Sequence, residues 1–184
     1  MPSFNPDSIR RRGALWKRAL WIALALPVGL FMVAFAIGSY LPATTEAAGA
    51  LHFERPAADV FAALMDGESH PAGGAQTRSV HRTSAPGELP VFVEDLGETR
   101  LTIRTTEAEA PTHLVRELDD ESLPMNARWT IDLEPDGEGT TVHYATVTTI
   151  SAGDWKAPLF RVAVNLMGGA EAGVRGWIER AGAQ

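Results

Sequence analysis

The chain has 184 residues, 45% of them hydrophobic, with a net charge of −7 and no cysteine. That length accommodates one domain of ordinary size plus an appendage, and the composition suits a packed core. The absence of cysteine excludes disulfides, thiolate chemistry, cysteine-ligated zinc and a cysteine lipid anchor.

The charge is unevenly divided. Residues 1–41 carry five basic groups (Arg10, Arg11, Arg12, Lys17, Arg18) against Asp7, a balance of +4, which leaves −11 for residues 42–184. An acidic domain repels phosphate backbones, and no basic aromatic patch interrupts it, so no nucleic-acid partner is expected.

From Ala19 to Leu41, "ALWIALALPVGLFMVAFAIGSYL", no side chain is charged. A helix over this run is long enough to cross the roughly 30 Å of a bilayer's hydrocarbon. Trp16 and Trp21 near one end and Tyr40 at the other are ring types that favour the interface. Pro27 lies inside the run, a position membrane helices tolerate. The basic residues precede the span and the next one after it is Arg55. The positive-inside rule therefore places the N-terminus in the cytoplasm and residues 42–184 outside it, as a single-pass protein of the cell (inner) membrane. A cleaved signal peptide has a similar layout, with Thr45-Glu46-Ala47 or Ala48-Gly49-Ala50 as a cleavage site, but its apolar region is about 7–15 residues. A helix buried in a globular core is a further reading of the same run.

The expected organisation is a basic segment over 1–18, the membrane helix over 19–41, a tether over 42–47 within "PATTEAAG", and one domain over 48–184. In "LHFERPAADVFAALMD", residues 51–66, Leu51 and Phe53 alternate with polar neighbours as in a half-buried strand. After Arg55-Pro56 the period changes, and Val60, Phe61 and Leu64 share a helical face. Strand-like segments follow at Thr77–Ser84, Leu89–Leu96, Glu98–Glu107, Thr112–Leu118, Asn126–Glu134 and Thr140–Ser151. Turn formers at Pro86-Gly87, Gly97, Pro111 and "PDGEG" (135–139) separate them. This is an antiparallel meander. The chain then closes with a long amphipathic helix through Leu159, Val162, Leu166, Ala170, Val174 and Trp177, opened by Pro158 and weakened by Gly168, Gly169, Gly173 and Gly176. A meander with one apolar face needs a cover, and only that helix is long enough. The opening strand is expected to pair with the last.

The order strand, helix, meander, long helix resembles the START-like (SRPBCC, polyketide cyclase/dehydrase) superfamily over residues 48–182. "RPAADVFAALMD" resembles the family's first helix, with Phe61 where Trp is usual. "GTTVHYATV" resembles its last strand, and "APLFRVAVNLM" the start of its helix. The resemblance implies an α+β helix-grip fold, in which a sheet of about six or seven antiparallel strands wraps a long C-terminal helix around an internal apolar cavity. Many members carry an aromatic and then Pro-x-Trp after the first helix. Here "SHPAGG" puts His70 and Gly73 at those places, so no role of that Trp is transferred.

Little in the sequence marks a reaction. The histidines (His52, His70, His81, His113, His143) lie on separate segments without metal-like spacing, and there is no G-x-S-x-G, phosphate loop or dinucleotide fingerprint. No metal and no cofactor is expected. Asp119-Asp120-Glu121 reads as a solvated turn. Candidate cavity residues are Phe61, Trp129, Tyr144, Thr146 and Leu166, since a few polar tips in an apolar lining orient a ligand. The alternative for Trp129 and Tyr144 is ordinary core packing. The expected function is a membrane-tethered module that binds a hydrophobic small molecule or lipid. The alternatives are a cyclase/dehydratase-like enzyme, with catalytic residues unassigned, and a non-catalytic interaction domain whose cavity is filled by its own side chains.

Overall fold

The computed structural model describes residues 6–97, 99–118, 124–166 and 168–183; the side chains of 6–20, 22 and 24 are outside that description. The Asp119–Glu121 run and the Arg10–Arg18 cluster thus lie outside the described side chains. Helix α1, Pro6–Tyr40, runs through Pro27 without interruption. Its described surface is apolar and open: Trp21, Leu26, Leu30 and Met32 are each at least 60% exposed. Among the described residues no helix is long and apolar enough to cross a membrane.

Seven antiparallel strands follow, with the short helix α2, Ala57–Met65, after the first. They are β1 (Thr44–Phe53), β2 (Ser79–Arg82), β3 (Val91–Asp95), β4 (Arg100–Glu109), β5 (His113–Leu118), β6 (Met125–Asp136) and β7 (Gly139–Ile150). Their spatial order is β1-β7-β6-β5-β4-β3-β2. The meander thus pairs each strand with the next, and β1 closes on the last strand, as the alternation and the turns predict. The α+β helix-grip architecture is present.

β1 begins earlier than expected. Residues 44–47, assigned to a tether, are already strand, from Thr44 opposite Thr149 to Ala47 opposite Thr146. The twelve-residue β7 would otherwise leave half of one edge unpaired, and a row of open N–H and C=O groups is satisfied best by another strand. The junction with α1 is held as well. Asn165 donates its side-chain amide to the Pro42 carbonyl at 3.4 Å and accepts from the Thr45 hydroxyl at 2.9 Å.

The single long C-terminal helix is the clearest correction. It is two helices, α3 (Ala157–Leu166) and α4 (Gly169–Gly182), parted at Gly168, whose φ of 65° is left-handed. Glycine adopts that conformation without the Cβ clash that other residues meet, so the amphipathic period breaks there. α3 packs mainly against α1, touching the end of β7 through Ile150, while α4 lies along the sheet and touches β1, β7 and α2. Leu166, expected to face the sheet and line the cavity, is 60% exposed at the end of α3. The core joins Val174, Trp177, Ile178 and Ala181 of α4 to Val60, Phe61 and Leu64 of α2 and to the inward faces of β4–β7.

Candidate ligand cavity

Two cross-strand rows define the floor beneath α4. Register places Thr148, Ala127, Leu118 and Ile103 opposite one another in the first row. The second row is Thr146, Trp129, Arg116 and Thr105. Paired residues project to the same side of a sheet, so both rows face the helix.

Over the first row lies a cavity of about 160 Å³. Its floor and walls include Thr148, Ala127, Leu118, Met125, Leu101 and Trp129, with Ala72 and Gly73 of the loop after α2 at one side. Its roof is the first half of α4 through Gly169, Ala170 and Gly173. The roof residues carry almost no side chain, and the space they leave is the cavity. A methyl group added at Gly173 would meet nothing within 4 Å. More open grooves lie elsewhere on the surface; one of about 460 Å³ is lined by Glu117, Arg128, Val147 and Thr149 among others.

Over the second row the packing is close. The rings of Trp129 and Trp177 lie 5.6 Å apart, centroid to centroid, and separate the cavity from the interior behind it. Trp177 donates its indole N–H to the His70 carbonyl at 3.0 Å, which fixes the loop after α2 to the helix. That loop also receives Glu94, only 1% exposed, whose carboxylate accepts from the amides of Ala72 (2.7 Å) and Gly73 (2.8 Å) and from the Thr77 hydroxyl (3.2 Å). A side chain at Gly73 would sit 2.5 Å from the Thr77 hydroxyl oxygen and 3.2 Å from Glu94. Glycine at 73 thus lets the loop close tightly onto a buried carboxylate.

Arg116 is likewise 1% exposed. Its guanidinium carbon lies 4.7 Å from the Trp177 ring centroid and 5.4 Å from that of Phe92. Burial pushes its pKa down to about 10, partly opposed by the nearby charge of Glu94, and it remains a cation at neutral pH. Such a shift corresponds to on the order of 3 kcal/mol disfavouring the charged form in the fold.

The predicted cavity residues separate. Trp129 lines the cavity. Thr146 lies beside it in the second row, 1% exposed. Tyr144 is buried, and its hydroxyl donates to Glu171 of α4 at 3.3 Å, so it ties the sheet to the helix. Burial first, and then Glu171, raises its pKa. Phe61 belongs to the packed α2 end of the core, and Leu166 is at the surface. Thr148, which the alternation of the last strand puts on the same face as Tyr144 and Thr146, does line the cavity, whereas sequence reasoning missed Leu118 and the buried charges of Arg116 and Glu94. The signal for the last two was available: Arg116 alternates in phase with Leu114 and Leu118, and Glu94 with Phe92, which are core positions. His52 and His143 point outward as predicted, and among the described residues no group of His, Asp and Glu is arranged to hold a metal ion.

No protein-family model matches the sequence, and no curated protein sequence is similar to it. Solved structures do resemble the fold. Truncated norcoclaurine synthase from Thalictrum flavum aligns with a TM-score of 0.55 at 10% identity, over 74% of this chain and 92% of that one. Ara h 8.0201 aligns at 0.50 and 12% identity, over 73% and 97%. The di-domain ARO/CYC protein StfQ of the steffimycin biosynthetic pathway aligns at 0.56 and 9% identity, over 76% of this chain but only 51% of StfQ. At these identities the likeness is one of fold.

Proposed function

We propose that the chain is a START-like module that binds a hydrophobic small molecule or lipid beneath α4 and is held at a membrane by α1. The observation that carries the binding half is the cavity itself. Natural interiors are close-packed, and an apolar space with a tryptophan wall and a threonine hydroxyl in its lining has the make-up of a ligand site. At about 160 Å³ it matches a single-ring ligand or one segment of a longer chain. The solved structures of like fold include norcoclaurine synthase and an ARO/CYC protein, and the binding reading draws no chemistry from them. Among the described residues the Tyr144 hydroxyl and the Glu94 carboxylate are both engaged by protein groups, which favours binding over catalysis.

The membrane half rests on the uncharged run over 19–41 and on the exposed apolar side chains of the described part of α1, Trp21, Leu26, Leu30 and Met32 among them. The short link of Leu41 to Ala43 between α1 and β1 then holds the cavity close to the bilayer. Gly38 approaches the Pro158 carbonyl so closely that a methyl group there would overlap it, which fixes α3 against the end of the anchor.

Native mass spectrometry of the full chain released from membranes tests the binding half: a stoichiometric apolar adduct is expected, and a bare chain would favour the filled-core reading. A reporter fused after Gln184 tests the anchor. Export is expected, weakened or inverted when Arg10–Arg18 are made neutral, and a cytoplasmic C-terminus in the unaltered protein would overturn it.

A further inference from the structure

We infer that the ligand carries a carboxylate, and that Arg116 receives it at the inner end of the cavity. This deepens the binding reading above and rests on it.

Arg116 is buried, yet its Nε and Nη2 have no hydrogen-bond partner. Most buried polar groups are satisfied, and an unmatched guanidinium is a costly exception. The exception is not isolated. The hydroxyls of Thr105 and Thr146 are also buried without a partner, and both belong to the same cross-strand row as Arg116. Thr105 is the direct cross-strand neighbour of Arg116, while Thr146 lies beyond Trp129 at the end of the row, so the orphaned guanidinium and the Thr105 hydroxyl side by side mark a place where a polar group is expected and the described residues supply none.

Glu94 does not fill that place. Both of its oxygens are taken, by the Ala72 and Gly73 amides and the Thr77 hydroxyl, and it acts on Arg116 only through space. The rings of Trp177 and Phe92 hold the guanidinium by cation–π contact, an interaction that leaves the N–H edge unused. Nε and Nη2 form one edge of the planar fork, the edge that meets a carboxylate through two parallel hydrogen bonds. The cavity adjoins this place on two sides: Trp129 belongs to both its wall and the row, and the Ala72–Gly73 wall carries the amides bound to Glu94. An amphiphile with its apolar body over Ala127 and Thr148 then directs its acid past Trp129 to Arg116. The Trp129–Trp177 pair has to part for this, so Trp129 reorients on binding.

The test uses the full chain in lipid nanodiscs, titrated calorimetrically at pH 7 with 4-ethylbenzoate and with the uncharged 4-ethylbenzyl alcohol. The acid is expected to bind about tenfold more tightly than the alcohol, as a charge-assisted bidentate contact requires. In Arg116→Met that preference disappears while alcohol binding is retained. Arg116→Lys keeps the charge but not the fork, and its acid preference falls below that of the unaltered protein; should Arg116→Met not fold, this variant and the unaltered protein's acid-to-alcohol ratio decide the matter. Equal binding of the two probes by the unaltered protein would overturn the carboxylate and leave the cavity reading intact. Binding of neither would overturn the cavity reading itself.

Discussion

The two halves of α4 cover the same sheet with opposite results. In the second half Trp177, Ile178 and Ala181 are completely buried against the core. In the first half Gly169, Ala170 and Gly173 stand at corresponding positions, and a cavity remains. The two ends differ in side-chain volume, large where the core is solid and nearly absent where the cavity lies. A domain that needed only stability would carry larger residues in the first half, because voids forfeit dispersion contacts.

The contrast predicts unequal responses to substitution. Trp177→Ala should cost about 3–5 kcal/mol in denaturant unfolding, since it removes a fully buried ring together with its stacking on Trp129. A loss below about 1 kcal/mol would mean that the second half is not the solid end. Tyr144→Phe should cost about 1 kcal/mol, the bond from its hydroxyl to Glu171, and should leave ligand affinity unchanged because that hydroxyl is committed to the helix. A drop in affinity with no change in stability would return Tyr144 to the ligand site. Gly173→Ala should stabilise by up to about 1 kcal/mol, as a mid-helix alanine with free space at its Cβ does.

The smallest effect lies on the sheet's outer side and calibrates the others. His113 donates its Nδ1–H to the Asp132 carboxylate across 2.6 Å, and that bond raises its pKa above 6.5, with the charges of Glu107 and Glu109 adding to the effect. A raised histidine pKa contributes stability that is fully present below about pH 6.5 and is lost as pH rises through the folded value. The contribution is a few tenths of a kcal/mol, roughly, because Asp132 is well exposed. Asp132→Asn should flatten this part of the stability–pH curve; an unchanged curve would show that the pair does nothing measurable.

The fold was largely legible. Alternation and turn residues located all of β2–β7, and the opening strand pairs with the last, as the order of elements predicts. Two features were hidden by the same ambiguity, glycine. Gly168 and Gly169 read as weak positions in one helix, whereas the left-handed φ at Gly168 makes them a break that sends Leu166 to the surface. Periodicity continues across such a break and cannot report it. The small residues of "PATTEAAG" read as a tether because they lack the bulk of a strand, yet from Thr44 onward β7 recruits them through backbone bonds that composition does not encode. Of the candidate site, Trp129 was found because it alternates with apolar neighbours. Arg116 and Glu94 were overlooked because charge suggests solvent, although their phase along β5 and β3 placed them inside.

The claim on which the rest depends is that the first half of α4 covers usable space. Saturable binding of an environment-sensitive fatty-acid probe to the full chain in nanodiscs, compared with Ala127→Leu, tests it most directly. Ala127 is buried in the floor of the cavity, so leucine there occupies the space from the first row. The account predicts saturable binding by the unaltered protein, lost in Ala127→Leu while the melting temperature is maintained or rises. Equal saturable binding by both proteins would place the ligand elsewhere, and no saturable binding by the unaltered protein would contradict the account.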